Sequence, residues 1–133
     1  MYWYWTGEAA LGKLKGVKKT RIGSLNHKEV VEVFYNPKET NVKEMRDTLK
    51  GHDSFYSYIY RNENELADAK DKISSSEIKK GSGNISYIKS KHSLKVKYPK
   101  IFKSKMTEEE ALRLNTWAHF GGKKPEIKQS KKP

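Results

Sequence analysis

Glu29-Val30-Val31-Glu32-Val33-Phe34-Tyr35 is the stretch on which the fold turns. Val31, Val33 and Tyr35 alternate with Val30, Glu32 and Phe34, the two-residue period of a strand, and both sets carry apolar residues, as an interior strand requires. Just upstream, Val17 to Ile22 is a second candidate strand. Downstream, Asn41 stands where it can N-cap a helix over Val42 to Lys50, in which Val42, Met45 and Leu49 recur at helical spacing, and Gly51 is a natural stop.

Outward from this block, the aromatic pentad Met1 to Trp5 is expected to end a strand, and Glu8 to Lys15 to form a short helix stopped at Gly16. Towards the C-terminus, Phe55 to Tyr60 reads as a strand. Asn62-Glu63-Asn64-Glu65 then reads as a capping box opening a helix that buries Leu66, Ala69 and Ile73 and ends at Ser74-Ser75-Ser76. Gly81-Ser82-Gly83-Asn84 marks a turn before candidate strands Ile85 to Lys89 and Ser93 to Tyr98, and Pro99 ends the second. Thr107-Glu108-Glu109-Glu110 is another capping box, opening a last helix to about Ala118.

The order helix, strand, strand, helix, strand predicts an α+β fold, a ferredoxin-like two-layer plait with a truncated leading strand. Met1 falls where that leading strand would be ending, which raises the expectation of further strand residues upstream. Residues 1–120 are expected to form a single domain with one core. Residues 121–133, with Lys123, Lys124, Lys128, Lys131 and Lys132, are expected to form a disordered basic tail.

A chain of 133 residues with 35% hydrophobic and 33% charged residues is lean, yet suits one small globular domain, because three Trp, eight Tyr and four Phe supply bulk. No run approaches the roughly 20 apolar residues of a membrane span, and no secretion-signal pattern opens the chain; a soluble, cytoplasmic monomer is the expectation. With no cysteine, disulfides, thiolate metal sites and thiol catalysis are excluded. His27, His52, His92 and His119 lack metal-ligand spacing, and no phosphate-loop motif occurs, so neither metal nor cofactor is expected.

Two segments carry a family resemblance. Trp3-Tyr4-Trp5-Thr6-Gly7-Glu8-Ala9, running on to Lys13-Leu14-Lys15-Gly16-Val17, resembles the signature of the A-type peptide methionine sulfoxide reductases: Cys, Phe-Trp, two variable residues, Glu-Ala, and a helix ending in Lys-x-Gly-Val. His27-Lys28-Glu29-Val30-Val31 through Asn36-Pro37 is similar to the family's Gly-His-Ala-Glu-Val-Val strand, and Gly51-His52-Asp53 to its His-Asp-Pro. The resemblance covers roughly residues 3 to 75 and implies the plait already suggested by element order.

It also implies a site. Tyr4 and Trp5 fall on the aromatic pair that walls in the substrate methyl group. Glu8 and Glu29 fall on motif carboxylates, which in an apolar pocket would be protonated and able to donate to a sulfoxide oxygen. Asp53 follows His52, and Tyr56 or Phe55 stands for a family tyrosine. The position of the nucleophilic Cys is Trp3, which cannot attack sulfur. The family's substrate-contacting Pro-x-Tyr loop shrinks here to Gly23-Ser24-Leu25-Asn26. The expectation is therefore a reductase relative without reductase activity, retaining a pocket for peptide methionine-(S)-sulfoxide.

Charge supports a rival reading. The net charge is +12, and nine lysines lie between Lys79 and Lys105 with no acid after Glu77 until Glu108. Lys89, Lys91, Lys95 and Lys97, interleaved with Tyr87 and Tyr98, form a candidate stripe for nucleic acid or an acidic protein partner. Lysine outnumbers arginine 24 to 4, which suits nonspecific electrostatic attraction better than base recognition.

Overall fold

The computed structural model describes residues 3–88 and 91–126, the Trp3 side chain excepted. The first helix, α1, spans Trp3–Leu11, so the aromatic opening is helical where a strand end was expected. Ala9, Ala10 and Leu11 are strong helix formers, and all three are fully buried together with Glu8. The helix stops before the predicted Lys15.

Two long strands follow. Strand β1, Val17–Leu25, and strand β2, Lys28–Tyr35, pair antiparallel with Leu25 opposite Lys28 and Ile22 opposite Val31. Asn26 and His27 close the hairpin, both in the left-handed region at φ 49° and 67°, as a two-residue turn of this hand requires. Helix α2, Val42–Gly51, is capped as expected: the Asn41 side chain accepts from the Glu44 N–H. Strand β3, Tyr58–Tyr60, is shorter than predicted and leads into α3, Glu63–Lys70. There Asn62 accepts from the Glu65 N–H, but the Glu65 carboxylate accepts from Arg61 N–H, one residue outside the predicted box. Ala69 and Ile73 are buried as expected.

A 3₁₀ turn, Ser75–Glu77, precedes strand β4, Ile78–Lys80, which lies parallel to β3. Strand β5, Ser86–Ile88, returns to pair with β1. Among the described residues the strands thus form two sheets, β2-β1-β5 and β3-β4. The α+β class is as expected. β2, predicted to be interior, is an edge of its sheet, and β1 takes the central place.

The predicted strand Ser93 to Tyr98 is helix α4, His92–Lys97, followed by α5, Pro99–Lys103. The reason is visible in burial: Leu94 is fully enclosed whereas Val96 is 63% exposed, so the alternating residues do not share a face. Helix α6, Glu108–Phe120, opens on the predicted capping box, with Thr107 and Glu110 bonded reciprocally. The core has two parts where one was expected. Leu11, Val17, Val42, Met45 and Leu112 pack between α1, the hairpin and α2. Leu94, Leu114 and Ala118 form a second cluster between α4 and α6, which therefore serves both. Of the predicted tail, residues 127–133 lie outside the described residues, as does Lys89. No described helix is long and apolar enough to cross a membrane.

Candidate functional site

The hairpin and α2 leave an open groove of about 930 Å³ along β2. Its floor is apolar, with Leu11, Val31, Val33, Met45, Leu49 and Phe55 among its lining. Tyr4, Glu29 and Tyr56 all line this groove from three separate parts of the chain, the first turn of α1, the start of β2 and the loop after α2, with Glu29 and Tyr56 exposed. Burial raises the Tyr4 pKa, and the nearby Glu29 charge raises it further, which puts the phenol and the carboxylate within electrostatic reach. Further along, Tyr35 donates to Asp68 at 3.1 Å. Burial first, and then that carboxylate, push its pKa to about 12.

Three other residues of the expected site face elsewhere. Trp5 lies flat against His92, ring centroids 3.5 Å apart and planes 8° from parallel, while also stacking at 5.9 Å on Tyr4. Asp53 is exposed in the turn after α2, held left-handed at φ 54°. Glu8 is wholly buried between α1 and β1, in an ion pair with Lys91 at 2.9 Å. Thr20 Oγ1 donates to the same carboxylate oxygen at 2.7 Å, the Lys91 backbone N–H donates to the other at 2.7 Å, and the Lys91 ammonium also donates to Thr20 O. A carboxylate occupied on both oxygens by charged and neutral donors is held as a structural anion, and no side of it opens on the groove. Trp3 contributes its backbone to the start of α1.

The lysine stripe is dispersed. Lys91 is buried, and the Lys97 ammonium is drawn to Ala118 O at 3.0 Å. Lys95, on the same helix, is solvent-exposed.

A second polar cluster escaped sequence reasoning. Ser93 Oγ and His119 Nδ1 lie 2.7 Å apart, and Lys13 Nζ and His52 Nε2 lie 3.1 Å apart, with Phe120 touching both sets. Burial lowers the His119 pKa, as do the charges of Lys97, His52, His92 and Lys13; His52 is lowered by burial and by Lys13. No carboxylate orients His119 in the contacts it makes, and among the described residues no group of three His, Cys, Asp or Glu could hold a metal ion. Sequence offers no signal for this cluster, because its members come from the residues just after α1 and α2 and from α4 and α6.

No protein-family model, curated protein or solved structure matches the chain.

Proposed function

We propose that this protein is a non-catalytic relative of the A-type peptide methionine sulfoxide reductases, binding methionine-(S)-sulfoxide side chains of peptides in the groove beside Tyr4 without reducing them. The observation that carries the reading is that Tyr4 and Glu29, at positions matched to family motifs, line one apolar-floored groove together with Phe55 and Tyr56, one of which stands for a family tyrosine. The Tyr4 ring and the side chains of Val31, Leu49 and Phe55 would enclose the thioether methyl group, with Glu29 at the exposed rim of the same groove. Reduction needs a thiolate to attack sulfur, and the chain has no cysteine. On the same reading α1, β1, β2, α2 and β3 derive from a ferredoxin-like plait, whose leading strand would belong between β2 and β3.

The test is a two-dimensional amide NMR titration of the intact chain with N-acetyl-methionine-(S)-sulfoxide, with the R epimer as control. Shifts at Tyr4, Glu29 and Val31 with the S epimer, absent with the R epimer and weakened by Glu29→Ala, are expected. A folded protein that shows no epimer-selective shifts ends this reading, and turnover of the S epimer with dithiothreitol ends its non-catalytic part.

A further inference from the structure

The groove is bounded by two strand edges without a ladder. β2 pairs only with β1, and β3 only with β4, among the described residues. The polarity of β2 follows from its turn. In a two-residue hairpin the flanking pair, Leu25 and Lys28, exchanges hydrogen bonds, and such pairs alternate along an antiparallel ladder. Val30 and Glu32, opposite Gly23 and Arg21, therefore bond inward, whereas Glu29, Val31 and Val33 turn their backbone N–H and C=O towards the groove.

β3 runs parallel to β2. Its Ile59 lies with Leu25 against Gly81 at the hairpin tip, where an added Cβ would meet Ile59 at 2.5 Å and Leu25 at 3.1 Å. Arg61, just past its end, reaches Glu32 further along β2 at 3.3 Å. β2, α2 and β3 are thus a strand-helix-strand unit whose two parallel strands stand apart, the split arrangement in which another strand fits between them. All eight residues of β2 line the groove, a length of about 26 Å at roughly 3.3 Å per residue.

We propose that the groove receives an extended polypeptide strand from a partner, antiparallel to β2 and β3, which joins the two sheets into one. Only a peptide backbone can pair with both edges at once, by the strand-addition mode of recognition. The apolar floor, Val31, Val33 and Met45, calls for apolar side chains at every second position of the incoming strand. The charge calls for basic ones between them. In a chain of net charge +12, Glu29, Glu32, Glu65 and Asp68 outnumber Lys28, Arg46 and Arg61 in the lining; with Arg61 paired to Glu32 and Glu65 and Arg46 to Glu77, Glu29 and Asp68 remain against Lys28. The site overlaps the Tyr4 end assigned above to the sulfoxide but does not depend on that assignment.

The probe is an acetylated, amidated peptide of alternating valine and lysine, eight residues long and free of methionine, added to the intact chain. The expected result is shifted amides at Glu29, Val31, Val33 and Tyr58–Tyr60, with at least tenfold slower hydrogen exchange at Glu29, Val31 and Val33. Two control peptides should fail: one N-methylated at alternate backbone nitrogens, and one with glutamate for lysine. Equal binding of the N-methylated peptide overturns strand pairing, and equal binding of the acidic peptide overturns the basic partner. Edge amides already protected in the free protein, or no shift with the first peptide, overturn the proposal as a whole. Because no arm contains a sulfoxide, failure here leaves the sulfoxide titration to stand or fall separately. A Val31→Pro protein provides a further check, since a proline whose lost N–H faced the open edge leaves the hairpin ladder intact yet cannot pair with the peptide.

Discussion

The Glu8 carboxylate and the Lys91 ammonium, 83 positions apart in the chain, meet at 2.9 Å with 0% and 5% of their side chains exposed. This pair ties α1 to the entry of α4 beside Thr20 of β1. It also fixes Lys91 in the left-handed region at φ 62°, because the backbone N–H must turn to the same carboxylate that the side chain holds. A non-glycine residue stays there only when its surroundings hold it.

Removing one partner leaves a buried charge without its counterion, at a cost of about 3–5 kcal/mol. Glu8→Gln and Lys91→Met are each expected to lower stability by that order in urea unfolding. The double variant Glu8→Gln with Lys91→Met should recover part of the loss, since no charge is left unpaired and the amide oxygen still accepts from buried donors that the carboxylate served. Single variants as stable as the parent would mean that the pair carries little of the docking of α4.

The contrast between this pair and the elements around it shows what local sequence encodes. The caps at Asn41 and Thr107 were legible because each is a contact between residues three apart, and the two hairpin strands because their alternation faces one sheet. The opening helix was misread since aromatic rings suit strands as well as helices. Leu94, Val96 and Tyr98 alternate like a strand, but six residues span less than two helical turns, so periodicity cannot decide between them. Of the groove lining, Tyr4, Glu29 and Tyr56 stand at positions that the motif resemblance picks out. The burial of Glu8 and Lys91, and the meeting of Ser93 with His119, depend on long-range packing that no local spacing announces.

His52 and His119 predict an acid-sensitive α6. Both have pKa values below the ordinary 6.5, so the unfolded chain takes up their protons more readily than the folded one. Stability is then unaffected by these groups above about 6.5 and falls as pH drops below it. Lys13, Lys97 and His92 face them, and no acid among the charges acting on His119 offsets the repulsion, whereas Asp53 partly offsets it at His52. The melting temperature is expected to decline between pH 6.5 and 5, and a His52→Gln, His119→Gln protein to show a flatter decline. Imidazole NMR titrations that place both pKa values above 6.5 would reverse the sign and sink the prediction.

Gly12, the residue after α1, lies close against α6. A Cβ at this position would run into the Thr116 hydroxyl and lie 3.1 Å from Leu112 O, both on the facing helix. Thr116 cannot simply rotate away without breaking the 2.6 Å bond it donates to Ala9 O. Gly12→Ala is therefore expected to destabilise the chain by about 1–3 kcal/mol, the usual cost of overpacking, despite alanine's better helix propensity. Pairing it with Thr116→Ala should restore part of the loss; a single variant as stable as the parent would show that the helices separate freely.

Arg113 closes the segment that leads from α1 into β1. Its guanidinium donates to Gly12 O and Leu14 O at 2.8 Å each and to Lys15 O at 2.9 Å, and it also reaches Val17 O and the Glu109 carboxylate. Gly12, Leu14 and Lys15 lie between α1 and β1, so one side chain supplies donors to the carbonyls of the helix's exit loop. A planar fork can address several carbonyls at once; an ammonium on a flexible stem cannot hold the same set. Arg113→Ala is expected to cost at least about 1.5–3 kcal/mol, the range for a hydrogen bond from a charged donor, and Arg113→Lys to recover less than half of it. Urea midpoints for the two variants measure this directly, and hydrogen exchange should quicken at Leu14 and Val17 in both. If lysine restored the parent midpoint, positive charge near Glu109 would be the property that matters, and the fork geometry would not.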